Sequence, residues 1–279
     1  MNRATLQLIA LLLLGSLSGC AQWKDANDTV SALATPKPSP SASVIDIGFV
    51  PLPIRDDQID WRLWNDVDEQ ILSDDLRKQL AANGLRAGRI AGRMPKLVAD
   101  ELEVAPQQDS LQFLEQANLL SEVAHGGRRV FCRNAMRYEL PVRSQMRGEV
   151  SVLIKKGESL TGRRLIDPLF QFSMETRRGD NGEIILRLVP EIKSGDMKQA
   201  WISNEQALRL ESRRDVQALE HLAIEIPLEV GHAVLISPTA TPRGIGEKML
   251  MGQRVDELQE VVAVVLRLSQ APSITPQGN

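Results

Sequence analysis

The hydrophobic pattern of this chain changes period partway along. Trp61, Trp64, Val67 and Ile71 recur at spacings of three and four, which predicts one apolar face of a helix. Ser73 then stands where an N-cap belongs. Asp74 and Asp75 follow at the positive end of a second helix, Arg77 and Lys78 lie further along, and Asn83-Gly84 supplies a stop. Leu85 to Ile90 reads as a strand. Pro95 opens a third helix with Leu97, Val98 and Leu102 on its apolar side, and Ser110 to Val123 reads as a fourth. The folded part is expected to start near Val44, and residues 44–125 are expected to be a mixed, helix-rich region.

Beyond residue 126 the period becomes two. Arg129-Val130-Phe131-Cys132 reads as a short strand. Val150, Val152 and Ile154 alternate with less apolar neighbours, as do Phe170, Phe172 and Met174, and Leu222, Ile224, Ile226 and Leu228. Asp180-Asn181-Gly182 is a hairpin turn leading into Glu183 to Ile192, which is apolar on both faces. Gly231 turns the chain into Ala233 to Ile236, and Val261 to Leu268 makes a last strand. Pro227 marks an edge strand or a bulge, since proline cannot donate to a ladder. The expected fold class is α+β: a helix-rich N-terminal part, then an antiparallel β-rich domain over 126–270, built as a sandwich or layered sheet, and a disordered tail over 271–279.

The N-terminus has a different logic. Arg3 precedes an apolar run from Leu6 to Leu14, too short for a bilayer core that takes about 20 apolar residues. It reads as a cleaved export signal over 1–19. Leu17-Ser18-Gly19-Cys20 follows: an apolar residue, two small ones, then cysteine. This resembles the lipobox of bacterial lipoprotein precursors. The resemblance implies that the Cys20 thiol carries diacylglycerol and that the membrane is reached through it, with two or three acyl chains for firm anchoring. Ala21, in place of an aspartate, points to the outer membrane, with the protein facing the periplasm. Residues 20–43, with Pro36-Lys37-Pro38-Ser39-Pro40, read as a flexible tether. Cys132 is the one other cysteine; with Cys20 lipidated no intrachain disulfide can form, and Cys132 is expected to be a buried, inert thiol.

Composition narrows the function classes. Thirty-three basic residues against 36 acidic give a net charge of −3, without the basic footprint that nucleic-acid binding leaves. Aromatics make up only 4%, so the core must be mostly aliphatic. His125, His221 and His232 do not sit at metal-ligand spacing, and no catalytic or cofactor motif is found, so no catalytic, metal or cofactor residue is assigned. Gly157 to Arg164 has the glycine spacing of a phosphate loop but lacks its Lys-Ser/Thr and connects strands. Asn65-Asp66-Val67-Asp68 has carboxylates without a calcium-loop glycine. Four arginine pairs, 128–129, 163–164, 177–178 and 213–214, read either as an anion-binding surface or as solvated charge that guards strand ends.

Three segments of the C-terminal half resemble the β-domain of secretins, the ring-forming outer-membrane channels. They are Ile185 to Ile192, Glu229 to Ile236, and Gly244-Ile245-Gly246 with Val261 to Leu268. Glu247 to Met251 lacks that family's proline-containing continuation. The resemblance implies a self-associating exported domain, hence a homo-oligomer. The reading taken forward is a membrane-anchored envelope lipoprotein, non-enzymatic, with a structural or assembly role through contacts with an envelope protein. A secretin-like component, an envelope hydrolase and an anionic-ligand-binding lipoprotein are the alternatives.

Overall fold

The computed structural model describes residues 42–52, 54–55, 58–59, 61–102, 126–204, 207–252 and 260–272. Cys20, residues 20–41 of the expected tether, the expected helix over 110–123 and His125 lie outside them, whereas Ala42 and Ser43, expected in the tether, are buried at the start of the first strand. Fourteen strands in these residues carry most of the structure: β1 (Ala42–Pro51), β2 (Ile54–Arg55), β3 (Gln58–Ile59), β4 (Leu85–Ile90), β5 (Gly126–Arg133), β6 (Tyr138–Pro141), β7 (Glu149–Lys156), β8 (Ser159–Ile166), β9 (Leu169–Arg178), β10 (Ile184–Asn204), β11 (Ala207–Ala218), β12 (Ile224–Leu228), β13 (Ala233–Pro238) and β14 (Val262–Gln270). Three short helices accompany them: α1 (Asp74–Ala82), α2 (Lys96–Leu102) and α3 (Gly244–Leu250).

Two sheets face each other. Sheet I has the order β4-β13-β14-β1-β5 and sheet II the order β11-β10-β9-β6, with β12 also paired to β10; every pairing is antiparallel. Ile47, Phe49, Val264 and Leu266 of sheet I meet Phe170, Phe172, Leu186 and Leu188 of sheet II in one apolar core. The other face of sheet I is covered as well. Leu235, Ala263 and Val265 pack with Leu63, Trp64, Val98 and Leu102 in a second core. Sheet I is thus sandwiched between helical segments and sheet II. A strand buried on both faces reads as an unbroken apolar run, which is why Ala233–Ile236 and Val261–Leu266 show no polar alternation.

This architecture corrects the expected α+β class: the described residues are mostly antiparallel β-sheet, and those of the first part are not helix-rich. β1 lies inside sheet I, between β14 and β5, and Ala42 to Val50 are all buried. Its burial on both faces places apolar residues at both parities and limits the alternation to Ile45–Phe49. Nor does the Trp61 to Ile71 periodicity make an α-helix. Trp61–Asp66 is a 3-10 helix of 6 residues. The chain then turns so that the Asp68 amide donates to the Arg89 carbonyl at 2.8 Å and the Arg89 amide donates back at 2.9 Å. Long-range pairing to β4 replaces the next helical turn. Two local readings do form. α1 is capped by Ser73, whose hydroxyl accepts from the Leu76 amide at 3.3 Å, and stops at Asn83; α2 starts directly after Pro95.

Candidate partner-binding groove

A concavity lies where α3 meets the β7–β8 hairpin, and glycines set that meeting. A methyl group on Gly246 would overlap the Gly84 carbonyl oxygen, and one on Gly84, where φ is +78°, would overlap the Arg243 carbonyl oxygen. Only bare backbones can approach so closely. The Gly246 amide therefore donates to the Asn83 carbonyl at 2.9 Å, holding the start of α3 on the α1–β4 turn. Asn83 itself is fully buried. Its side-chain amide donates to the Lys155 carbonyl and its Oδ1 accepts from the Lys155 amide, both at 2.8 Å. One asparagine side chain thus takes the place of a neighbouring strand at the β7 edge.

A groove of about 520 Å³ opens beside this junction, lined by Ser151, Leu153, Gly162, Arg163, Arg164, Gly244, Glu247 and Lys248 among others. Leu153 is paired with Gly162 across the ribbon, and Ser151 with Arg164. These residues share the outer face, because side chains alternate along a strand while Val152, Ile154 and Leu165 point into the core. On that face Leu153 is 54% exposed, Leu160 62% and Ile166 48%. The α3 wall contributes Gly244, Glu247 and Lys248, one helix face at the i, i+3, i+4 spacing. Lys248 pairs with Glu247 at 2.7 Å and Arg164 with Glu149 at 3.2 Å. The buried Arg143 donates to the Lys248 and Met251 carbonyls, closing the C-terminal end of α3.

Of the arginine pairs, 163–164 lines this groove. Arg129 is held by Asp46, Arg177 by Glu225, and Arg214 by the Asp167 carbonyl at 3.0 Å. Arg128 lies with its guanidinium 5.9 Å from the Phe49 ring centre, and burial lowers its pKa. The Gly157 to Arg164 segment is the β7–β8 turn and most of β8, so its glycines serve a hairpin. Asp66 borders a second open cavity of about 550 Å³ with Gly92, Arg93, Met94, Pro95, Lys96 and Ala99, while Asp68 pairs with Arg89. His221 lies beside the Lys155 carbonyl at 3.1 Å; burial pushes its pKa below the usual imidazole range despite that hydrogen bond. The ring nitrogen of His232 meets the Glu229 amide within its own turn. Cys132 is fully buried, and burial pushes its thiol up to about 12. No three His, Cys, Asp or Glu side chains converge as a metal site among the described residues.

The groove was only partly visible in the sequence. Gly162 and the arginines beside it stood out, but under a phosphate-loop spacing. Leu153, Lys248 and the bridging role of Asn83 carried no local signal. The three secretin-like segments fall in β10, in the β12–β13 turn and strand, and in the start of α3 with β14. They therefore spread over both sheets and the groove wall. No protein-family model, curated protein or solved structure matches the chain.

Proposed function

We propose that this chain is an exported lipoprotein, anchored to the envelope membrane through acylated Cys20, whose β domain serves a structural or assembly role by contacting other proteins. The observation that carries the reading is a pair of two-stranded ribbons at the margins of the fold. β9 pairs with β10 only as far as Lys193, whereas β10 runs on to Asn204 with β11 as its sole partner among the described residues. The β7–β8 hairpin is likewise a sheet of its own and displays Leu153, Leu160 and Ile166. Two-stranded ribbons are marginal in water, and their free edges are templates for another chain. A lipid anchor and tether would hold such edges close to envelope partners.

The test has two measurements on the full chain expressed in a double-membrane bacterium. Metabolic labelling with a palmitate analogue should mark the wild type and not Cys20→Ala, and the variant should leave the membrane fraction. The native mass of the wild type, extracted in mild detergent, should exceed that of a monomer. A closed ring would favour the secretin-like component, and a discrete complex with another envelope protein would favour an assembly subunit. An unlabelled protein, or a clean monomer under all extraction conditions, overturns the reading.

A further inference from the structure

We propose that the groove between the β7–β8 ribbon and α3 receives an extended, acidic peptide segment of a partner protein. This rests on the protein-contact reading above and adds the chemistry of the partner. Three features of the site define it. The first is an available row of backbone groups. Both the amide and the carbonyl of Lys155 point away from β8, to Asn83. Leu153 and Ser151 share that parity, so their backbone groups also point outward along the β7 edge. The Leu153 carbonyl lies against Gly244 at the start of α3, whereas Ser151 takes no backbone hydrogen bond from another loop among the described residues. An incoming extended segment would pair from Ser151, beyond the positions that Asn83 and Gly244 cover.

The second feature is charge. Arg163, Arg164 and Lys248 line the groove against Glu247 alone. The pairs already present are weak partners for these cations. Arg164 is 79% exposed and Glu149 51%, and exposed pairs contribute only about 0–1 kcal/mol. An incoming carboxylate can replace them, and the guanidinium fork suits it. The third feature is shape. The exposed Leu160, Leu153 and Ile166 run along the same ribbon face for about 20 Å, the reach of some six extended residues. Gly162 leaves the centre of that face bare. Apolar and cationic positions interleaved along a straight ribbon match a chain whose own side chains alternate. A lipid headgroup would need a compact anion pocket without the apolar row.

Gly162 also provides a clean test. A Cβ there would meet only the Leu153 Cδ2, at 3.6 Å, the end of an exposed side chain, so Gly162→Val adds bulk to the floor and suits a strand. Fluorescence anisotropy on the full chain in mild detergent would use a fluorescein-labelled eight-residue peptide alternating glutamate with valine. A lysine–valine peptide and phosphatidylglycerol vesicles serve as competitors. The glutamate peptide should bind, the lysine peptide should compete at least tenfold less well, and vesicles should not displace it. Gly162→Val, and Arg163→Ser with Arg164→Ser, should each weaken binding at least tenfold with unchanged thermal unfolding. Absence of binding, equal competition by the lysine peptide, displacement by vesicles, or unchanged affinity in Gly162→Val overturns the proposal. If Gly162→Val leaves the native complex intact while the complex itself persists, the groove assignment fails and the protein-contact reading stands.

Discussion

The two sheets of this protein solve different burial problems. Sheet I lies between sheet II and the helical segments, and its runs Ala233–Ile236 and Val262–Leu266 are apolar on both faces. Sheet II has one face in the core and the other turned outward. The outward face carries a charged network. Arg187 meets both Glu220 and Glu225, Arg177 meets Glu225, and Lys193 and Arg137 meet Glu139. Arg137 also reaches the buried Glu191, which accepts from Gln171 at 2.9 Å. Sheet I has a contrasting device. Asp46, 7% exposed, sits on β1 between Arg129 of β5 and Arg267 of β14, at 2.6 and 2.9 Å. One carboxylate ties three adjacent strands on the helix-facing side. Charge in sheet II is therefore spread over the face turned away from the core, whereas the inner strand β1 of sheet I carries a single carboxylate held by arginines of its two neighbours.

The largest expected effect separates the outward faces directly. Leu235→Ala empties a site on the helix-facing side of sheet I and should cost roughly 2–5 kcal/mol in urea unfolding, comparable to Leu188→Ala in the core between the sheets. If Leu235→Ala costs under about 1 kcal/mol, that side of sheet I is not a packed core. A middle-sized effect is expected at Asp46. Asp46→Asn weakens hydrogen bonds to two guanidinium groups and should cost about 1–3 kcal/mol.

The pH dependence of this effect has a definite sign. Burial alone would raise the Asp46 pKa, but its hydrogen bonds and charge contacts with Arg129 and Arg267 outweigh it and hold the group below its ordinary value of 3.8. The folded state then binds its proton less readily than the unfolded chain. The contribution is fully present above about pH 5 and is lost as pH falls through the lowered folded value. The stability gap between wild type and Asp46→Asn should shrink in acid; a gap unchanged down to pH 2 would show that the charge is not its source. The smallest effect belongs to the outward face of sheet II. Glu225→Gln, in an exposed pair with Arg177, should shift stability by no more than about 1 kcal/mol, less at high salt.

Much of the chain was legible from local signals. Ser73, the acidic pair after it and Asn83-Gly84 delimit α1 because capping is a local interaction. The alternation at Phe170, Phe172 and Met174 gives the inner face of β9 because one side of that strand faces polar surroundings. The asparagine-glycine turn at 181–182 joins β9 to β10 because it accommodates the positive φ a tight hairpin requires. β1 escaped for the opposite reason. With both faces buried, its alternation is confined to Ile45, Ile47 and Phe49 against Asp46 and Gly48, and its partners lie 77–91 residues away in β5 and more than 210 away in β14. The Trp61 run misled because a 3.6-residue spacing reports which side is covered, not how many turns follow.

The amino-acid sequence by itself determined the capped helix, the hairpin turns, the alternating strands of sheet II and the expectation of lipidation at Cys20, each a matter of neighbours within a few residues. Only the tertiary structure decided that β1 joins the interior of sheet I, that Asp46 meets two arginines from other strands, and that Asn83, Gly162, Arg164 and Lys248 border one groove. Those facts depend on residues far apart in the chain, and burial on both faces of a strand limits the very pattern by which such pairings would be read in advance.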